Sequence, residues 1–356
     1  MQLQGDKAYL VRILGGIGLT SEAYKEAGVD LAAAENSKER IRSLAALTHG
    51  PEVLGNSGGF AGMFRLEGYG SPVLVASTDG VGTKLKVASI LGHYESLGID
   101  LVNLNVNDIV TCGAKPLFFL DYISMSQLDH QTLDQLIRGM VWACKQADCA
   151  LIGGETAQSP NMYAEDQFDL AGMIVGVVEE EDIMTRSDIK PGDVVLGIPS
   201  SGLHTNGFSL VRKVFDIDTN PAVLYQKFND LGHGLGEELL IPHKCYYPMI
   251  APCLSRAKGI AHISGGGISG NLARILPDGI SASIDRSSWE PQPIFDLLRS
   301  VGGLSDEDMF TVFNMGIGIV LVCDRSDVDD LVRSVPTANV IGELIGNGGE
   351  PQVVIH

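Results

Sequence analysis

The 356-residue sequence holds no Cys-x-x-Cys pair, no cluster of Lys or Arg, and no Gly-x-x-x-x-Gly-Lys-[Ser/Thr] loop. No apolar run approaches the ~18 residues of a membrane span. Each absence closes a class. The cysteines, at 112, 144, 149, 245, 253 and 323, do not form a disulfide framework in a chain this long. Reduced thiols and a cytoplasmic home are therefore expected. The first twenty residues carry Lys7 and Arg12 but no apolar signal core, so the protein is expected to be neither exported nor membrane-anchored. Acidic residues outnumber basic ones 44 to 25, a net charge of -19, and such a field repels nucleic acid and anionic lipid. Any phosphorylated ligand then needs a local cradle or a metal ion. The missing Walker A loop removes the standard nucleotide motif.

What is present is 45% hydrophobic residues and 43 glycines, enough for a large core and, at this length, for two domains. Residues 73–78 (VLVAST) and 116–123 (PLFFLDYI) read as strands, with Ile99, Val102, Val106 and Ile109 at helical spacing between them. A second helix over 130–147 leads to a strand at Ala150–Ile152 and another at 168–178. The acidic run before Pro191-Gly192-Asp193 marks a boundary, giving domains 1–185 and 186–356. The second half alternates again: strands at 194–199, 259–264, 280–284 and 317–323, helices near Thr205 and over 271–276, 293–300 and 327–334. The fold class is α/β (α+β) in both halves.

The most informative stretch runs from Ser77 to Lys84, where a strand ends in Asp79, a Gly80-Val81-Gly82 turn, Thr83 and a lysine. Such a turn gathers backbone amides, a cation and a metal-binding oxygen; its bland reading is an Asp-Gly turn with a surface lysine. Asn103, Asn107 and Asp108 lie on a helix with an apolar opposite face. Either they line a pocket or they form a solvated stripe. Gly153-Gly154-Glu155-Thr156 again delivers a carboxylate beyond a strand end. Asp79, Asp108 and Glu155 are the hard oxygen ligands magnesium prefers, though each alone also suits a turn or cap. Ser200–Gly207 links strand to helix and contains His204; His262 and Ser264 precede Gly265-Gly266-Gly267-Ile268-Ser269-Gly270. This last run matches the dinucleotide fingerprint GxGxxG and is the basis for a nicotinamide-dependent dehydrogenase as the alternative. The glycines at 55–62 read as a lid or a linker.

Taken in order, these pieces resemble the phosphoribosylformylglycinamidine cyclo-ligase (aminoimidazole ribotide synthetase) family. The motifs are YKEAGVD (24–30), GGFAG (58–62), STDGVGTK (77–84), VNDIVTCGAKPLFFLDY (106–122), LIGGETA (151–157), FDLAG (168–172), SSGLHTNGFSLVRK (200–213), HISGGG (262–267) and FNMGIG (313–318). The resemblance implies an ATP-dependent ring closure of formylglycinamidine ribotide and a homodimer whose N-terminal sheets pair into a barrel. It also implies a C-terminal α/β domain with a mixed sheet. It puts Mg2+ on Asp79, Asp108 and Glu155, and ATP near Asp79, Gly80, Gly82, Thr83, Lys84, Asn107, Gly153, Gly154 and Thr156. Lys84 is then expected on the phosphates, Asp108 in the catalytic set, and His204 or His262 at the substrate.

The chain departs from the family pattern at Gln158, where a carboxylate is usual, and at Asp308 and Thr311, where an acid and an arginine stand in EMxRTFNMG. It departs again at 241–246, where TPTxIY reads IPHKCY. The segment before Ser21 has no reading. Selenophosphate synthetase, a superfamily relative, is disfavoured because no cysteine precedes Cys112; GVGTK and HISGGG disfavour thiamine-phosphate kinase. A binding-only relative is the reading from another class, against which the intact Asp79, Lys84, Asp108 and Glu155 argue.

Overall fold

The computed structural model describes residues 31–55, 60–164 and 167–356, with side chains from Glu35 onward. The YKEAGVD motif and the first two residues of GGFAG lie outside these residues.

The first half is a four-stranded sheet under a layer of helices. Its strands are β3 (Pro72–Gly80), β4 (Lys115–Met125), β5 (Ala150–Gln158) and β6 (Phe168–Glu179). They lie in the order β3-β6-β4-β5, all antiparallel except the β4/β5 pair. A short pair, β1 (Val53–Leu54) and β2 (Met63–Phe64), stands apart. The helices are α1 (Leu31–Ala45), α2 (Lys84–Leu91), α3 (Glu95–Val110) and α4 (His130–Gln146). Asp129 caps α4 by accepting from the amides of Gln131 and Thr132, two of the four donors a helix start leaves unpaired. Along α3 nearly every residue is buried, including Asp100, Asn103, Asn105 and Asn107. The solvated-stripe reading of its asparagines is therefore wrong. α3 crosses α4 where a β-carbon on Gly98 would meet the Leu136 carbonyl and one on Gly139 the Glu95 carbonyl.

The second half is a six-stranded sheet of β7 (Val194–Pro199), β8 (Ala257–His262), β9 (Ile280–Ile284), β10 (Ile317–Cys323), β11 (Asn339–Gly346) and β12 (Val353–Ile355). Its order is β12-β9-β11-β7-β10-β8, and only β12/β9 is parallel. β10 is buried on both faces, hence its unbroken apolar sequence. Around it lie α5 (Phe208–Val214), α6 (Leu235–Leu239), α7 (Tyr247–Ile250), α8 (Gly267–Leu272), α9 (Pro293–Gly302), α10 (Asp306–Val312) and α11 (Val328–Ser334). The helix expected near Thr205 starts at Phe208. The one expected over 271–276 starts at Gly267 and runs out as a 3-10 turn at Ala273–Ile275.

This topology removes the dehydrogenase alternative. A dinucleotide site needs a parallel sheet with the glycine turn opening a full helix, whereas β8 pairs antiparallel with β10 and α8 has six residues. The glycines serve packing: Gly266 and Gly267 have φ of 96° and 63°, and a side chain at Gly267 would strike the Phe310 carbonyl.

The halves share core. Val87 of α2 joins the second half's cluster with Phe208, Leu235 and Phe295, and Val110 at the end of α3 packs with Ile198, Tyr246 and Ile319.

Candidate active site

At the junction, α3 faces the segment 241–246 and the loop 200–207. Asn103 Nδ2 donates to the His243 carbonyl at 2.6 Å and Asn107 Nδ2 to the Lys244 carbonyl at 2.8 Å. Asn107 Oδ1 accepts the Tyr246 amide at 3.0 Å. One helix face thus replaces the strand partner that 241–246 lacks. Asn107 was expected to bind the cofactor; its amide is instead consumed by this splint and fully buried.

Lys84 is also placed differently from the expectation of an open phosphate cradle. It is fully buried, pairs with Asp100 Oδ2 at 2.8 Å, and donates to the carbonyls of Ile241 at 2.9 Å and His204 at 3.2 Å. The ammonium has three donors, and all are committed. Burial raises the Asp100 carboxyl above its ordinary value while Lys84 opposes that shift. Asp100 was not singled out in the sequence; its signal was an acid on the same stripe as Leu97, Leu101 and Leu104.

The acids fall into two pairs. Asp79, at the end of β3, is held above its ordinary value by burial and then by the charge of Asp108, the Gly80 amide opposing at 2.7 Å. Asp121, on β4, is pushed up to about 7, mainly by burial, with the charge of Glu155 adding. Asp79, Gly172, Asp121 and Gly154 share one rung of the sheet. A β-carbon at Gly154 would run into the Asp121 carboxylate, which explains one glycine of the Gly153-Gly154 pair. Asp79, Asp108 and Glu155 do not gather into one tight set. Among the described residues, the group close enough to suggest an ion is His204, His243 and His262, with one nitrogen of each inside 4.8 Å. Asp121 was missed as a site residue, although a lone acid in PLFFLDYI is a buried-polar signal.

Of the remaining expected residues, Thr83 stands at the start of α2 without a capping side-chain hydrogen bond, its hydroxyl 3.1 Å from that of Ser209. Gly82 has φ of 59° and open space where a side chain would go. Gly80 lies against the Leu170 carbonyl; Gly153 and Thr156 pair with Leu120 and Ile123. His204 and His262 are brought together, both buried. The His262 Nδ1 meets Asp108 Oδ1 at 2.9 Å, and Ser77 donates to Asp108 Oδ2 at 3.0 Å. His262 Nε2 lies 3.1 Å from His243 Nε2, and His243 Nδ1 3.3 Å from the Thr205 hydroxyl. His204 has φ of 61° and stacks on His243 with centroids 3.9 Å apart. Burial, followed by neighbouring cations and imidazoles, holds both His204 and His243 well below the ordinary histidine value. Both rings are therefore neutral.

Two domain models match the chain: the AIR synthase related protein N-terminal domain over residues 59–178 and its C-terminal domain over 190–354. Phosphoribosylformylglycinamidine cyclo-ligase of Geobacillus thermodenitrificans is 46% identical over 336 residues, covering 92% of this chain and 97% of that one. The protein of the same name from Pseudothermotoga lettingae is 46% identical over 338 residues, covering 93% and 99%. The chain belongs to the phosphoribosylformylglycinamidine cyclo-ligase family.

Among solved structures, the fold is similar to thiamine-monophosphate kinase from Stenotrophomonas maltophilia, with a TM-score of 0.65 at 18% identity over 88% of this chain and 94% of that one. It is also similar to hydrogenase maturation protein HypE solved in complex with ATP, with a TM-score of 0.61 at 15% identity over 89% and 90%. Seen against the family, the departures have local explanations. Asp308 forms a capping box with Ser305 at the start of α10. Thr311 lines a cleft with Arg286, Asp306 and Phe310. Gln158 ends β5. His243 enlarges the histidine cluster.

Proposed function

We propose that this chain closes formylglycinamidine ribotide to aminoimidazole ribotide at the expense of ATP, a ligase step of purine biosynthesis. The observation that carries the reading is the 46% identity to cyclo-ligases over nearly the full length of both chains. An amide carbonyl is a poor electrophile and hydroxide a poor leaving group. The γ-phosphoryl group passes to the formyl oxygen as ADP leaves, and the formamide nitrogen gives up its proton, giving an iminophosphate. The amidine nitrogen then forms the C–N bond to that carbon, the C–O bond breaks with departure of phosphate, and the nitrogen gives up its proton. Nucleophile and electrophile already share one molecule, so the protein's task is orientation and charge stabilisation.

Magnesium fits the acids. Besides burial, the charge of Asp108 raises the cost of ionising Asp79, and that of Glu155 the cost of ionising Asp121, and a hard cation relieves such like-charge pairs. Asp79, Asp108 and Glu155 are assigned to hold it; when bound, it neutralises phosphate charge. Gly80, Gly82, Thr83, Gly153, Gly154 and Thr156 are assigned to the approach of ATP, with open space at Gly82 in support. His262 is assigned to orient Asp108, and His204 to substrate contact.

The assembly proposed is a homodimer joined through the outer face of the four-stranded sheet into a barrel. Leu74, Tyr122 and Met173 lie exposed on that face, where a solitary protein would be expected to place polar groups. The domain division at 185/186 falls in the stretch left between the two matched domain models. No described helix is long and apolar enough to cross a membrane; a cytoplasmic placement is proposed.

The test is ring formation from ATP, magnesium and formylglycinamidine ribotide, comparing the native chain with Asp108→Ala. Activity in the native chain and a loss of about 100-fold or more in a folded variant is expected. A folded native chain that binds ATP but forms no ring and consumes no ATP sinks the reading.

A further inference from the structure

The ring at position 243 belongs to a device that the reaction above does not require. Its backbone is clamped on both sides: the His243 amide donates to Asp100 Oδ1 at 2.6 Å and its carbonyl accepts from Asn103 at 2.6 Å. Its ring is pinned against His204 at 3.9 Å. Both ring nitrogens are paired, Nε2 with His262 and Nδ1 with Thr205. Gly318, on β10, leaves room for the arrangement, since a side chain there would meet His204 and the Tyr246 hydroxyl.

Two roles compete for the cluster. In a metal site the lone pairs of all three rings, which lie in the ring planes, converge on one point about 2.0–2.1 Å from each nitrogen. Here His204 and His243 are stacked with planes 18° apart, so their lone pairs run side by side and do not meet. The nitrogens of His243 and His262 make directed hydrogen bonds instead. Asp108 is acceptor-only when ionised, so His262 presents Nδ1–H to it. The His262 Nε2 then accepts, and the donor is His243 Nε2–H. His243 Nδ1 in turn accepts from the Thr205 hydroxyl. Every link has one donor and one acceptor, and the chain runs from Thr205 in the second half to Asp108 in the first.

We infer that His243 is a positioning residue: by donating to His262 Nε2 it acts together with Asp108 to hold that ring in the Nδ1–H tautomer and so sets the orientation of the Asp108 carboxylate. The neutrality of His243, buried among other cationic or basic groups, supports this, because it keeps an acceptor at one nitrogen and a donor at the other. The tautomer stands on the hydrogen bonds alone. Its consequence for magnesium rests on the proposed reading of Asp108.

The experiment uses the full chain labelled with nitrogen-15 in its histidine rings, together with His243→Gln and His243→Leu. Glutamine offers an N–H toward His262; leucine offers none yet suits a buried site. In the native chain the His262 signals are expected to report Nδ1–H, and the same state is expected to persist with glutamine and be lost with leucine. The magnesium concentration giving half-maximal ring formation is expected to rise about 10-fold or more with leucine and no more than about 3-fold with glutamine, while leucine leaves the melting temperature near or above the native value. A packing role predicts the opposite ranking, with leucine at least as good as glutamine in every readout. A native His262 carrying its proton on Nε2, or equal behaviour of the two variants, overturns the inference. If the native chain makes no ring, the function proposal fails, and the nitrogen signals still decide the role of His243.

Discussion

Lys84 shows how a side chain singled out in a sequence can meet partners that its motif does not announce. A lysine after Asp-Gly-x-Gly-Thr invites a phosphate, but its ammonium closes on Asp100 and two carbonyls at the junction of the halves. Breaking a buried pair strands a charge. Lys84→Met is expected to lower unfolding free energy by about 3–5 kcal/mol in urea denaturation. A variant of native stability that has lost only ATP affinity would restore the phosphate role. Asp121 makes the complementary case in pH. Its folded value is about 7 against 3.8, so between those values the folded chain holds a proton the unfolded chain has released. The resulting stability is complete below about pH 4 and is lost as pH rises through 7, on the order of 4 kcal/mol at full range. Asp121→Asn in magnesium-free buffer is expected to raise the melting temperature at pH 8 and flatten its decline from pH 5. An unchanged slope would show that another group governs it.

At the scale of elements, strands were legible where burial writes its own pattern. PLFFLDYI and IGIVLVC are apolar because they lie inside sheets, VLVAST, on the edge strand β3 with no fully buried residue, was legible from its β-branched run, and α3 and α4 followed from helical spacing. What escaped was structure made by context. α2 and α10 are short helices that depend on packing and a capping box, and β11 carries exposed and buried residues without a clean alternation. Several motifs proved to be neighbours, since Asp79, Asp108, His204 and His262 lie about one junction. It was not legible as geometry: no local pattern says that Asn107 will splint a distant segment or that His243 will stack on His204. The α3/α4 crossing is similarly silent until Gly98 and Gly139 are seen against opposing carbonyls. Gly98→Ala or Gly139→Ala is expected to force the helices apart and cost about 1–3 kcal/mol, visible as a lowered denaturation midpoint. No shift would mean the crossing yields more easily than its spacing implies.

For the molecule as a whole, the exposed apolar face of the four-stranded sheet is the feature most in need of a partner. If two copies meet there, Leu74→Glu combined with Met173→Glu is expected to convert a dimer to monomers in sedimentation, because burying two like charges per subunit is prohibitive. A double variant that still sediments as a dimer would move the interface elsewhere. The junction has a different consequence, one for inheritance. Asn103 and Asn107 come from the first half and donate to backbone of the second, Lys84 reaches two of its carbonyls besides pairing with Asp100, and Asp100 takes an amide from it. A gene that acquired either half from a distant relative would inherit donors and acceptors cut to another loop. The two domains of this chain must therefore change together, residue against residue, even though each has the outline of a unit that could travel alone.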